Sequence, residues 1–221
     1  VAIAKETVPE ALDEARKMAL AADVIEIRLD YLKEIDVAPF SVSVHKPLLF
    51  TNRPAWEGGR YTGNEEVRIV SLAEAVEQQA AYVDLEVLAP NSSHDRLRDK
   101  LDHSTTRLIL SWHNFKETPN YIKLIDIFTL MQDKGADIAK IVTMAHDYLD
   151  VLRVLRLQEE AARLEFPLIA FCMGAPGVIS RIATLELGGY MTYCSADGDQ
   201  GTAPGQVSVG ALRDIISRLH S

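Results

Sequence analysis

Along this chain short apolar runs alternate with segments whose apolar positions recur every three or four residues. The runs at 1–5, 23–32, 46–53, 80–88, 106–115, 136–144, 166–173 and 190–195 read as strands, bounded by Gly, Pro, Asp or Ser. Residues 9–21, 65–79, 92–101, 118–134, 146–164, 177–187 and 207–219 carry the helical period instead. Start and stop signals agree with these bounds. Thr7 precedes Pro9 as a cap, Asn64 precedes a periodic run, Thr118-Pro119 opens a helix and Gly135 ends it. Pro39 and residues 41–46 predict an irregular link, and PAWEGGRYTGN at 54–64 a Gly-rich aromatic loop.

Eight strands, nearly all followed by a helix, predict a parallel sheet, and eight repeats predict its closure into an α/β (β/α)8 TIM barrel, a single domain over 1–221. An open doubly wound sheet is the alternative.

Within the strands the alternation has a second consequence. In DVIEIRLD, Ile25, Ile27 and Leu29 share one face, and Glu26, Arg28 and Asp30 share the other. The apolar face of a barrel strand meets the helices, so these ionic groups are expected inside, where charges persist only if paired or employed. A half-exposed antiparallel strand would produce the same alternation. The pattern recurs, however: Asp84 and Glu86 alternate with Val83, Leu85 and Val87, Thr51 and Arg53 share a face, and Ser111 and His113 share another. These positions fall toward the carboxyl ends of their strands, where barrel active sites are built. The expected mouth holds Glu26, Arg28, Arg53, Glu57, Glu86, His113, Lys140, Arg181 and Gln206.

Composition narrows the class. With 23 Lys+Arg against 32 Asp+Glu the net charge is -9, which argues against a nucleic-acid partner. No apolar stretch approaches the length of a membrane span, and no leader pattern opens the chain, so a cytoplasmic protein is expected. Cys172 and Cys194 lie in apolar stretches and read as small core residues, with one disulfide between them as the alternative. The outer helix faces show no single apolar stripe, which leaves monomer and homodimer both open.

Lys140 sits mid-strand in DIAKIVTM, where an ammonium has no packing use. Either this is an edge strand whose lysine reaches water, or the amine works. Desolvation and nearby arginines favour the free amine, able to attack a carbonyl; the resulting iminium acidifies the adjacent carbon, and a histidine can move that proton. Arginines call for an anionic, most simply carboxylate, substrate. His113 could instead be a core histidine bonded to a carbonyl. A metal site of His113, Glu26 and Glu86 is disfavoured by the neighbouring cations, so neither metal nor cofactor is expected.

EIRLD (26–30), FTNRPAWEGG (50–59), VDLE (83–86), SWHNF (111–115), DIAKI (137–141), GVISR (177–181) and TAPGQ (202–206) together resemble type I 3-dehydroquinate dehydratase over essentially the whole chain. The wording RPAWEGG is similar to the dehydratase part of plant bifunctional dehydratase/shikimate dehydrogenase proteins, for which a plastid location would follow. The resemblance implies a syn elimination converting 3-dehydroquinate to 3-dehydroshikimate in the shikimate pathway. Lys140 would form the Schiff base, His113 would act as general acid/base, and Glu57 would orient the histidine. Arg181 would clamp the substrate carboxylate, and Glu26, Arg28, Arg53, Thr202 and Gln206 would hold hydroxyls and close the site. Phe171, Met173 and Tyr193 would form apolar walls. The family commonly has Ser where Thr202 stands and often Phe where Tyr193 stands. ADGDQGTAPGQ (196–206) would be its mobile lid. The rivals are a Schiff-base aldolase barrel and a non-catalytic regulator binding shikimate-pathway metabolites. The regulator would have lost the lysine or the histidine, and both are present.

Overall fold

The structure, a computed structural model, describes residues 1–196 and 205–221. It falls into two compact units, Val1–Ile109 and Leu110–Ser221. The described strands follow chain order in a seven-stranded sheet, β1 (Ala2–Ile3), β2 (Ile25–Arg28), β3 (Leu48–Thr51), β4 (Tyr82–Glu86), β5 (Arg107–Asn114), β6 (Ile138–Met144) and β7 (Leu168–Met173). Strand β5 runs across the boundary between the units.

In the first unit β1 to β4 pair in parallel, with Glu26 opposite Leu49 and Arg28 opposite Thr51, which is itself opposite Asp84. This register puts Glu26, Arg28, Thr51 and Asp84 on one face. Ile25, Ile27, Leu48, Phe50, Val83 and Leu85 share the other and are buried. The expected division into a polar and an apolar face is therefore present on three neighbouring strands. Helix α1 (Val8–Met18) starts at Thr7, whose side chain accepts from the Glu10 N–H, and buries Ala11 and Ala15. The segment 38–43, expected as irregular, forms a short helix α2 (Ala38–Ser43) with Pro39 in its first turn, where a missing N–H costs nothing. Helix α3 (Glu65–Glu77) is capped by Asn64, and α4 (Asn91–Leu101) follows β4.

In the second unit α5 (Tyr121–Asp133) begins two residues later than Thr118-Pro119 suggests, because the Asn120 side chain caps it by accepting from the Lys123 N–H. Gly135 ends it at φ 75, with its N–H on the Gln132 carbonyl and the next N–H on Met131, a left-handed stop that glycine adopts without strain. Strands β6 and β7 pair in parallel, Lys140 opposite Ile169, Val142 opposite Phe171 and Met144 opposite Met173. The expected helix at 146–164 divides at Arg156 into α6 (Tyr148–Leu155) and α7 (Leu157–Arg163). Helices α8 (Val178–Glu186) and α9 (Val209–Leu219) complete the unit.

The eighth expected strand, 190–195, forms no ladder among the described residues. Tyr190 donates to the Leu168 carbonyl at one end, and Ser195 makes an isolated parallel bridge with Ser208 at the other. Cys172 and Cys194 are buried free thiols rather than a disulfide. Among the described residues no helix is long and apolar enough to cross a membrane.

Candidate active site

The polar face of the first unit is an ion-pair network. Glu26 accepts a 2.8 Å hydrogen bond from the Thr51 hydroxyl. Arg28 grips Asp30 with both Nε and Nη2, at 2.8 and 2.7 Å, and Asp30 also accepts the Arg60 backbone N–H at 3.0 Å. Burial works against the Arg28 cation, but Asp30 and Glu26 outweigh it and hold its pKa above the ordinary value. Arg53, just beyond β3, donates to Asp84 at 2.7 Å and to Glu86, with Glu57 at 3.7 Å. Here too burial opposes the charge, and the surrounding carboxylates push the pKa up.

Glu57 is placed by the chain around it. Residues 54–61 fold back on Arg53, whose carbonyl accepts from the Tyr61 N–H at 3.1 Å, and Glu57 lies buried in the 3-10 turn Ala55–Glu57. A Cβ on Gly59 would stand 2.0 Å from the Arg53 carbonyl oxygen, so this close return requires glycine.

In the second unit the β6–β7 register sets Lys140 on the same face as Ile169, Phe171 and Met173. The opposite face carries Thr143 and Cys172 toward the helices: Thr143 is 2.7 Å from the Thr118 hydroxyl, and the Cys172 N–H donates to Ser180 of α8. Lys140 is 4% exposed, which removes the edge-strand reading. Its Nζ lies 4.0 Å from the centre of the Tyr193 ring, and that ring packs on Phe171 at 5.9 Å between centroids. The Arg181 guanidinium stands 4.5 Å over Phe171 and donates to the Tyr193 carbonyl at 3.4 Å. Burial pulls the Arg181 pKa down to about 10, with the thiols of Cys194 and Cys172 acting weakly the other way. A guanidinium held at that cost favours an arriving anion.

One amine, one guanidinium and two aromatic rings thus converge, a set that can capture a carbonyl carbon while holding a carboxylate. Met173 is fully buried on the lysine face. His113 is half-buried near the end of β5, its ring stacked 6.1 Å from Phe115. Gln206 is half-buried, and Thr202, with most of the expected lid, lies outside the described residues. Among the described residues no group of three or more His, Cys, Asp or Glu is placed to hold a metal ion.

Asp30, expected on the polar face with Glu26 and Arg28, anchors Arg28, whereas one participant escapes a reading of the strands alone. Arg68 of α3 is fully buried and reaches Glu86 at 2.8 Å. Its signal is helical spacing, which groups Arg68 with Leu72, Ala75 and Val76 on the buried stripe.

The model of the family described as type I 3-dehydroquinase matches residues 1–221. A 3-dehydroquinate dehydratase of Desulfotalea psychrophila is 49% identical over 218 residues, covering 99% of this chain and 96% of the relative. The chloroplastic bifunctional 3-dehydroquinate dehydratase/shikimate dehydrogenase of Arabidopsis thaliana is 36% identical, covering 93% of this chain but 34% of that protein, so the RPAWEGG likeness to the plant proteins is the weaker of these two relationships. The solved type I dehydratase of Clostridium difficile, carrying covalently modified comenic acid, is 26% identical with a TM-score of 0.90 over 99% of this chain and 90% of that one. That likeness makes the fold the TIM-barrel-like one expected from the strand and helix alternation. Full-length agreement in sequence and in fold leads to one assignment: the chain belongs to the type I 3-dehydroquinase family.

Proposed function

We propose that this enzyme converts 3-dehydroquinate to 3-dehydroshikimate in the shikimate pathway, with Lys140 as the imine-forming amine. The observation that carries the reading is Lys140 itself, a lysine 4% exposed on a central strand, against Tyr193 and beside Phe171 and Arg181. The Lys140 amine adds to the C3 carbonyl and the carbinolamine loses water, giving an iminium that draws electrons from C2. His113 takes the C2 proton, and the resulting enamine expels the C1 hydroxyl, which leaves as water with the proton returned by His113. Hydrolysis of the remaining imine consumes one water, frees the lysine and releases the product, so the net change is loss of one water. The face on which proton and hydroxyl depart is the same, a syn elimination.

In this reading Arg181 holds the substrate carboxylate, and its burial makes that anion welcome. Glu57 orients His113, Glu26, Arg28, Arg53, Thr202 and Gln206 hold hydroxyls or close the site, and Phe171, Met173 and Tyr193 wall it. No step calls on a metal or an organic cofactor. One catalytic domain over residues 1–221 acts on a small molecule in the cytoplasm, as monomer or homodimer, and the net charge of -9 argues against a nucleic-acid partner. The test is direct: wild type should form the conjugated enone of 3-dehydroshikimate from 3-dehydroquinate, measured by its ultraviolet absorbance. Lys140→Met should be inactive, and a Lys140→Met protein with wild-type turnover would remove the lysine from the mechanism.

A further inference from the structure

Arg68 lies behind the polar face, outside every role assigned above. It is fully buried and spends its fork on three elements: Nη1 donates to the Asn52 carbonyl at 2.8 Å and pairs with Glu86 at 2.8 Å, while Nε and Nη2 grip Glu65 at 2.7 and 2.9 Å. Glu65 in turn accepts the Ser93 hydroxyl at 2.7 Å, which fastens the start of α4 to the same arginine. Asn52 directly precedes Arg53, and Glu86 binds Arg53 with its other oxygen. Arg68 therefore holds Arg53 from two directions, through its chain neighbour and through its carboxylate.

The charge count gives this geometry a consequence. Around Glu86 stand Arg53 from just beyond β3, Asp84 on its own strand and Arg68 from α3; Glu57 and Glu26 act on Arg53, Glu65 acts on Arg68, and His94 of α4 acts on Glu65. Without Arg68, Arg53 is the cation left acting on Glu86 among the described residues, and it is shared with Asp84 and Glu57. Burial raises the Glu86 pKa, and Arg53 and Arg68 pull against that rise. A protonated Glu86 gives up its grip on Arg53, so loss of Arg68 reaches the substrate side through Glu86.

We infer that Arg68 is a positioning residue, which holds Glu86 and the Asn52 carbonyl in place and so keeps Arg53 aimed at the substrate. This rests on the dehydratase reading above. An opposite charge at contact distance moves a carboxyl pKa by about 1 to 3 units. In Arg68→Met the acid limb of the kcat/KM profile for 3-dehydroquinate should accordingly move up by about 1 to 3 pH units, so the loss of activity deepens toward acid and shrinks toward alkali. Arg68→Lys, which keeps the cation, should leave the limb near its wild-type position. In a Glu86→Gln background, where nothing at that position titrates, Arg68→Met should not displace the limb at all.

The same fold-loss at every pH for Arg68→Met, or a displacement that persists with Glu86→Gln, would overturn the inference and leave Arg68 a packing residue. Should Arg68→Met not fold alone, recovery of folding by Glu86→Gln supports it, because the stranded carboxylate is then the fault; no recovery overturns it. Failure of the dehydratase reading is separable, since wild type would then neither turn over 3-dehydroquinate nor form a borohydride-fixed adduct.

Discussion

The Nζ of Lys140 lies 4.0 Å from the centre of the Tyr193 ring, so the aromatic face forms one wall of the space in which the amine works. Tyr193 is 9% exposed and also packs on Phe171. Removing the ring in Tyr193→Ala should cost about 3 to 5 kcal/mol of unfolding free energy, as large aromatic truncations do. Tyr193→Phe keeps both contacts and should stay within about 1 kcal/mol of wild type. Urea unfolding of the two variants decides this, and equal losses would mean that the hydroxyl, not the ring, is what matters.

Arg181 should show a conflict between stability and function. Burial outweighs the groups around its guanidinium, so Arg181→Met should leave the free protein as stable as wild type or more stable, by about 1 kcal/mol or more. 3-Dehydroshikimate should raise the melting temperature of wild type, and the same change should abolish that rise. A variant that melts lower yet still responds to the product would contradict the role.

Asp30 binds the Arg28 side chain twice and the Arg60 N–H once, linking the end of β2 to the RPAWEGGRY loop. Truncation strands a largely buried cation. Asp30→Ala should therefore lose about 3 to 5 kcal/mol of stability in urea unfolding, with a fall in kcat/KM for 3-dehydroquinate. A loss under about 1 kcal/mol, the level of an exposed ion pair, would show that the bidentate pair is loose in solution.

These expectations draw on features of unequal legibility. The polar face was readable because β2 and β4 alternate and Thr51 shares its face with Arg53, and a parallel register then aligned Arg28, Thr51 and Asp84. Lys140 was readable for the same reason, as a charge in an apolar run. Arg68 was obscured because an arginine near a helix start, in EEVRIV, looks solvated until its spacing from Leu72 and Val76 is counted. The strand expected at 190–195 failed on a different ground. Its apolar residues suit a strand, but a ladder depends on partners far along the chain, and among the described residues the segment makes an isolated bridge at Ser195 rather than a ladder. The division of 146–164 at Arg156 likewise leaves no Gly or Pro to read.

His113 stands near the end of β5, half-buried against Phe115. If it moves the C2 proton, His113→Ala should still form the imine but lose turnover by about 100- to 10,000-fold, the range for loss of a general acid/base. Steady-state kinetics beside trapping of the adduct separate the two steps. Near-normal turnover would return His113 to a packing role.

The most direct measurement concerns Lys140. Borohydride added to the enzyme with 3-dehydroquinate should reduce the imine to a stable secondary amine, and mass spectrometry of the digested protein should find the added mass on the peptide carrying Lys140. No adduct, or an adduct on Lys134 instead, would contradict the account.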